Sequence, residues 1–577
     1  MDDQPARMVR EHLLLNQLAG EGWFVTSGWA QADDGLELRF SLRVVDKDFD
    51  GVLVYPSAFP DVPCYIRPQR KGESWSHHQY GGSGVLCLER GPDNWDPAVT
   101  GVDMVRSANH LLGAERMRQL VAWPEPVASR HMETHGQSLR SHPDRLVLTE
   151  GFYEALQAAG GPQQTAAVRI EAAVWYLDRQ MVLVPLALGE PATAVKDVPA
   201  DVMRAELLPK PGWLVAGHLD PATPIATVDA LLDALKEAWP WPDGLPSDTE
   251  LLCVLEPDNT LCAYLVKGGD SPGVLNLKVV DYRGKSSPRQ PARFADLGSK
   301  KVAILGLGSV GGKVAVSMCR AGVRRFILVD DDVLGPENLV RNELTWRDVA
   351  FDKVEAIRRQ LGLIAAGVEV EVFRLRLAGQ ENPRLAADVA VALQQANLVV
   401  DATASAPAFL SAAAQCKRTG VAMVWGELFA GGGGGMLARS RPGLDADPLA
   451  VRNHVLGVLG TLLPVPKLVN AGRYSGSLDG ETFVASDADV SALAAAMSQF
   501  SLDTLSGGET DYPYAAYLLG FRKFWEFRQP FETVPIDCTG AILPAGAPAP
   551  LTAQEDEVLD SLLQELKQAH AQDNAAT

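Results

Sequence analysis

Lys301-Val-Ala-Ile-Leu-Gly306-Leu-Gly308-Ser-Val-Gly311 is the stretch whose reading decides the fold. Its first residues form an apolar run that suits a buried strand, and glycines follow at once in the spacing GxGxxG. Residues without a Cβ are needed here because backbone N–H groups must approach a phosphate and the next helix must pack on the strand. A second strand, Phe326-Ile-Leu-Val-Asp330, ends in an acid at the spacing where a carboxylate holds ribose hydroxyls. Strand, glycine turn, helix and strand predict a doubly wound α/β domain that binds a nucleotide.

Working outward, the chain has 577 residues, too many for one core, because single cores stop growing near roughly 250–300 residues. Hydrophobic residues at 47% and charged residues at 21% exclude a wholly disordered or fibrous chain. A net charge of −20 lacks the global field that holds nucleic-acid phosphates, so no nucleic-acid partner is expected. The sequence has no run of about 18 apolar residues, so no membrane span is expected, and the acidic start Met1-Asp-Asp is unlike a secretory signal. Seven scattered cysteines without a CxxC pair predict free thiols, a cytoplasmic setting and no structural zinc.

Composition shifts divide the chain. Residues 1–125 read as α+β: a helix with Met8, Val9, Leu13 and Leu14 on its apolar face, strands at 23–29 and 36–45, and a proline-punctuated meander through Pro56, Pro60, Pro63 and Pro68. Thr100-Gly-Val-Asp103 then opens a helix with a capping-box pattern. A Pro/His/Arg-rich stretch around 121–145 marks a boundary. Residues 146–290 alternate strand-like and helical runs, giving a middle α/β domain; its Cys253 and Cys262 read as core residues. The polar linker 283–291 leads into the doubly wound domain at 293–577, which ends in a proline-rich loop (544–550) and a short amphipathic helix with Val558, Leu559, Leu562, Leu563 and Leu566 on one face.

A bare GxGxxG suits a nicotinamide dehydrogenase equally well. The residues that follow shift the weight: Asp330-Asp-Asp332-Val-Leu-Gly-Pro-Glu-Asn338-Leu-Val-Arg341-Asn342, then Asp352-Lys353-Val. This run resembles the ThiF/MoeB/ubiquitin-activating adenylation family, with its pattern Asp-x-Asp, Asn-Leu-x-Arg, Lys-Val. Activating a carboxylate as an acyl-adenylate needs cations on the ATP phosphates, which a hydride-transfer site does not. The resemblance implies that Gly306, Gly308, Gly311, Asp330, Asp332, Asn338, Arg341 and Lys353 bind ATP with Mg²⁺. It covers about residues 293–440 and includes the glycine-rich run 426–442. The family's Asp-x-x-Asp after the fourth strand reads Asp401-Ala-Thr-Ala404 here, so Asp401 is the candidate substitute and position 404 a departure. The family's zinc cysteines are absent, and its activating domains are usually homodimers.

The segment His77-His-Gln79-Tyr-Gly-Gly-Ser-Gly84-Val-Leu-Cys87-Leu, then Trp95-Asp-Pro-Ala-Val-Thr100, looks like a ubiquitin-conjugating domain over about residues 8–115. That family reads His-Pro-Asn, seven residues, Cys-Leu, then Trp-Ser-Pro-Ala-Leu-Thr. The resemblance implies Cys87 as the thiol that carries an acyl group and Gln79 as the oxyanion donor in the asparagine position. His78 stands where the family has proline. A second thioester cysteine is expected in the activating half. Cys319 and Cys416 read as packing, whereas Cys538, in Ile-Asp537-Cys-Thr539-Gly, has the small polar neighbours of an accessible site.

Together these features resemble the fused ubiquitin-activating and ubiquitin-conjugating ligases of CBASS antiphage operons. That resemblance implies a protein substrate with a free C-terminus, either a cGAS/DncV-like nucleotidyltransferase or a ubiquitin-like protein, and targets bearing lysine amines. A sulfur-carrier adenylyltransferase and a non-catalytic scaffold are the alternatives. The first has no use for residues 8–115, and the alanine at 404 is the only feature favouring the second.

Overall fold

In the computed structural model, residues 5–120, 143–282, 290–462 and 475–541 are described with breaks, as is a helical run at 558–564. The chain divides into two units, 1–141 and 142–577.

In the first unit, helix α1 (Pro5–Ala19) precedes an antiparallel meander of β1 (Phe24–Ala32), β2 (Gly35–Val44), β3 (Lys47–Pro56) and β4 (Tyr65–Pro68), and α2 (Gly101–Leu120) follows. Alternate residues of β2, Leu38, Phe40, Leu42 and Val44, turn to the core, as the two-residue period of a strand requires. Helix α2 adds Met104, Val105, Ala108 and Leu112. Its start is capped as the sequence predicts: the Thr100 hydroxyl donates to Asp103 at 2.7 Å and the Thr100 amide at 2.8 Å. The expected face of α1 needs correction. Val9 and Leu13 are exposed, while Glu11, Leu15 and Leu18, spaced i, i+4, i+7, are buried. The Tyr55 hydroxyl (2.9 Å) and the Gly101 amide (2.7 Å) donate to one oxygen of the buried Glu11 carboxylate, and the Arg7 guanidinium pairs with the other at 3.0 Å. Such pairing offsets the cost of burying a charge, and it is invisible to a search for apolar periodicity.

The second unit begins with a β-rich part. Strands β5 (Asp144–Leu148), β6 (Ala167–Leu177), β7 (Gln180–Leu188), β8 (Thr193–Ala194), β9 (Pro209–Ala216), β10 (Leu251–Leu255), β11 (Leu261–Lys267) and β12 (Gly273–Asp281) form one sheet in the order 5-12-11-10-9-6-7-8. A further β5–β7 pairing closes it on itself. Among the described residues its helices are α3 (Glu150–Ala158) and α4 (Val228–Ala234), so the middle α/β expectation is corrected to a mainly β arrangement. Its inward side chains (Ile170, Leu183, Leu214, Leu251) are fully buried, which leaves one face for a helix layer rather than two. Cys253 is fully buried and Cys262 is half-buried.

The remainder is doubly wound. Strands β13 (Lys301–Leu305), β14 (Arg325–Val329), β15 (Glu369–Phe373), β16 (Leu398–Asp401), β17 (Ala422–Phe429), β18 (Gly434–Ser440), β21 (Ala516–Gly520) and β22 (Thr533–Ile536) pair in the order 15-14-13-16-17-18-21-22; β19 (Ser475–Leu478) and β20 (Glu481–Val484) make a separate hairpin. The first five strands of that order are parallel and the last three antiparallel. Val302 to Leu305 are wholly buried because helices cover both faces. On one face lie α5 (Gly311–Ala321), α6 (Lys353–Ile364) and α10 (Asp487–Ser506); on the other lie α7 (Pro383–Gln394), α8 (Ala406–Thr419) and α9 (Pro448–Thr461). Successive strands depart to opposite sides of β13, so the sheet has its switch point between β13 and β16. Ligand crevices of such sheets form there, beyond the carboxyl ends of the strands. The linker 283–291 lies mostly outside the described residues, as do the 544–550 loop and Leu566. Val558, Leu559, Leu562 and Leu563 are helical and exposed.

Candidate functional site

The glycine turn sits at the switch point. Gly306 has φ +80°, a region open to glycine, and a Cβ there would come within 3.0 Å of the Thr403 backbone at the end of the neighbouring strand. At Gly311 a Cβ would lie 1.8 Å from the Gly306 carbonyl oxygen. Gly308 closes the turn by accepting the Gly312 amide at 3.1 Å. The turn feeds α5, whose first residue is Gly311 and whose start has no side-chain cap, so the positive end of the helix dipole is open to an anion without a competing side chain. Gly311→Ala is expected to cost about 2–3 kcal/mol through backbone overpacking, read as a lowered Tm, and to weaken nucleotide binding in the same sample.

Asp330 braces this turn. One carboxylate oxygen accepts the Leu307 amide at 2.6 Å and the other the Asp332 amide at 2.9 Å. Burial pushes its carboxyl above the ordinary range, against these two hydrogen bonds. Each oxygen keeps a lone pair for a ribose hydroxyl. Lys353, the first residue of α6, is buried, and its ammonium pairs with the Asp332 carboxylate, whose side chain is largely exposed. The Lys353 amide also donates to the Asp332 carbonyl at 3.0 Å. Sequence positions 330, 332 and 353 are thus brought together beside the turn. Asn338 is spent locally on one side, its side-chain oxygen accepting the Gly335 amide at 3.0 Å. Arg341 donates to the Ala485 carbonyl at 3.2 Å, near the start of α10. Lys313, on the first turn of α5, pairs with Asp487 at 2.9 Å and Glu343 at 3.6 Å. This second half-hidden cation stands two residues past Gly311, and the motif reading passes over it.

Asp401 ends β16 across the switch point. It is buried, and one oxygen accepts both the Thr403 hydroxyl (2.6 Å) and the Thr403 amide (2.9 Å). Burial again raises its carboxyl. Ala404 has φ +49°, a left-handed conformation that aspartate or asparagine adopts at lower cost than alanine. A cradle a Cβ would fill, an uncapped helix start, an acid at ribose spacing and a buried lysine fit a nucleotide triphosphate. Among the described residues no three His, Cys, Asp or Glu side chains gather to hold a metal. Magnesium bound through phosphates needs only one or two carboxylates.

In the first unit, Gln79 and Leu86 form an antiparallel bridge. The Cys87 amide donates to the His78 carbonyl at 2.7 Å, which fixes the backbone under a half-exposed thiol. Trp95 ties the following loop to the proline meander, donating to the Pro60 carbonyl at 2.7 Å. A cleft of about 490 Å³ is lined by Glu89, Arg90, Asp96, Asp103, Arg106 and their neighbours. Gln79 is where the motif puts it, but its amide is committed: Nε2 donates to the Glu73 and Gly84 carbonyls at 2.8 and 3.0 Å, and Oε1 accepts the Trp75 amide at 2.7 Å. In this conformation Gln79 shapes the loop and offers no spare N–H.

Cys538 corrects the expectation of an accessible thiol. It follows β22, is 6% exposed, packs in the core with Met436, Leu518 and Phe527, and points its Sγ at the Ile536 carbonyl (3.7 Å). Burial, with the nearby Asp537 and Asp445 charges, pushes its thiol up to about 11. The polar neighbours read from the sequence face away: Asp537 is exposed and accepts the Thr539 amide at 2.8 Å. Cys319 and Cys416 are buried, as expected of packing residues.

With this geometry in place, comparison with known proteins gives the class. Residues 286–445 match the ThiF family, and the C-terminal region carries a ThiF-family domain. An uncharacterized protein of Sinorhizobium fredii, y4oA, is 26% identical over 192 residues, 30% of this chain and 31% of that protein. The ATP-dependent ubiquitin transferase-like protein Cap2 of Pseudomonas aeruginosa is 32% identical over 81 residues, 13% of this chain and 15% of that protein. The chain thus spans less than a third of the length of these curated relatives. The crystal structure of E. coli MccB with AMPCPP and selenomethionine-labelled MccA is similar at a TM-score of 0.32 and 16% identity, covering 44% of this chain and 68% of that one. Among the described residues no helix is long and apolar enough to cross a membrane.

Proposed function

We propose that the chain is an ATP-dependent enzyme that activates a protein C-terminus as an acyl-adenylate and conjugates it, through a cysteine thioester, to a target amine. The observation that carries the first half is the gathering of Asp330, Asp332 and Lys353 around the Gly306–Gly311 turn within a ThiF-family domain. In the first step a substrate carboxylate oxygen attacks the α-phosphorus of ATP and pyrophosphate leaves. Turn amides and the Lys353 and Arg341 cations balance the phosphate charge, and Asp330 holds the ribose. Asn338 and Asp332 order the segment that carries these cations, and Asp401 is the acid we assign to the Mg²⁺ that accompanies ATP.

The second half rests on Cys87 in a helix–meander–helix unit, together with similarity to a protein named ubiquitin transferase-like. The Cys87 thiolate attacks the acyl carbon and AMP leaves; an amine then attacks the thioester and the thiolate departs. We read residues 1–125 as the conjugating domain, 146–290 as a middle domain and 293–577 as the activating domain, paired in a homodimer. The acyl donor is a ubiquitin-like protein or a cGAS/DncV-like nucleotidyltransferase in antiphage defence, and the acceptors are lysine amines in the cytoplasm.

ATP–pyrophosphate exchange in the presence of a candidate donor tests the first half. Exchange independent of any protein carboxylate, or none with every donor tried, removes the adenylation reading. Cys538 has a separate test. With a thiol near about 11, only roughly one molecule in ten thousand is thiolate at neutral pH. Native Cys538 is therefore expected to resist iodoacetamide while Cys87 reacts, and Cys538→Ala is expected to charge Cys87 normally. Loss of charging in that variant would restore Cys538 as the first thioester cysteine.

A further inference from the structure

We infer that Tyr80, in place of Gln79, donates the hydrogen bond that stabilises the oxyanion when an amine attacks the acyl group on Cys87; this rests on Cys87 being the acyl carrier. Both N–H groups of the Gln79 side chain are committed to backbone carbonyls, and its oxygen to the Trp75 amide. An amide has two N–H donors and no more, so freeing one would break the loop that positions Cys87. The Tyr80 hydroxyl points at Cys87 Sγ from 3.9 Å.

The local pairing explains why this tyrosine meets the thiol. Gln79 opposes Leu86 in an antiparallel bridge, the Tyr80 amide donates to the Val85 carbonyl at 2.9 Å, and the Cys87 amide donates to the His78 carbonyl at 2.7 Å. Residue 80 therefore shares a face with residue 78, directly opposite Cys87, and reaches Cys87 on the diagonal, a distance an aromatic side chain spans. The Gly84 amide donates to the Tyr80 carbonyl at 2.8 Å and closes the turn. An oxyanion donor must stand about 2.7–3.1 Å from the developing oxygen. That oxygen hangs from the carbon bonded to Sγ, so a hydroxyl held 3.9 Å from Sγ reaches it without moving the backbone. As the amine bonds to the acyl carbon, the carbonyl π electrons move to oxygen and Tyr80 O–H donates to it. Collapse of the intermediate restores the carbonyl, breaks the C–S bond and leaves the Cys87 thiolate. The tyrosine keeps its proton throughout.

The test uses the full chain and a probe that bypasses the unidentified donor: a short glycine-ended peptide α-thioester, which loads Cys87 by thioester exchange, with free lysine as acceptor. Loading is located by peptide mapping, and single-turnover discharge to lysine is followed by mass. Tyr80 is 57% exposed, so Tyr80→Phe retains the ring and the fold, checked by an unchanged Tm. The variant is expected to load as fully as wild type and to discharge about 10- to 100-fold more slowly, the scale of one lost oxyanion donor at a partly hydrated site. Discharge within twofold of wild type from a loaded Tyr80→Phe overturns the role of Tyr80 and leaves Cys87 as carrier. Failure of wild-type Cys87 to load at all overturns the carrier reading itself, and the tyrosine role with it.

Discussion

Lys353→Ala is expected to drop donor-dependent ATP–pyrophosphate exchange by at least about 10²- to 10³-fold, the loss that follows removal of one preorganised charge-stabilising group in a shielded site. The ammonium lies buried beside the glycine turn, with Asp332 as its partner. Its position on the first turn of α6 is fixed by the Lys353 amide bonding to the Asp332 carbonyl, which the substitution retains. The carboxylate left behind is 63% exposed in its side chain and stays hydrated, so the penalty of an unpaired buried charge does not arise. The variant should therefore fold with a Tm close to wild type while failing to make adenylate. Exchange at the wild-type rate would move the phosphate-binding role to Lys313 or Arg341.

Cys87→Ala is expected to abolish conjugates to lysine while leaving pyrophosphate exchange unchanged. The thiol is half-exposed, so its loss opens no core cavity, and the Cys87 amide bond to His78 is independent of the side chain. Only a thiolate attacks and later departs at the rates acyl transfer needs. Alanine thus ends the transfer, whereas truncating a supporting side chain would merely slow it. Conjugates that persist would make the first unit a docking module for a transfer completed elsewhere.

The doubly wound domain was legible because its signals are local: an apolar strand, glycines where a Cβ would strike backbone at 1.8 Å, and acids at fixed spacing. The capped start of α2 was legible for the same reason. The closed sheet of the middle part was not, since closure depends on β5 pairing both with β7 and, across more than a hundred residues of sequence, with β12. The buried face of α1 was missed because a paired glutamate occupies it. At the sites the pattern is similar. Composition around Cys538 suggested access, yet the strand before it delivers the thiol into the core with Phe527. Gln79 occupies its motif position, but three loop hydrogen bonds take up its amide. Tyr80 carried no motif signal of its own; only the pairing of residues 78–80 with 85–87 places its hydroxyl against the sulfur.

The account depends on one chain both activating and carrying an acyl group, and one measurement tests this most directly. Cys87→Ser, incubated with ATP and a candidate donor protein, is examined by denaturing mass spectrometry under reducing conditions, alone and combined with Lys353→Ala. The account predicts an ester between the donor C-terminus and residue 87 that survives reducing agent in Cys87→Ser and is absent when Lys353→Ala is added. An adduct formed equally well without Lys353, or one mapping to another residue, would contradict it.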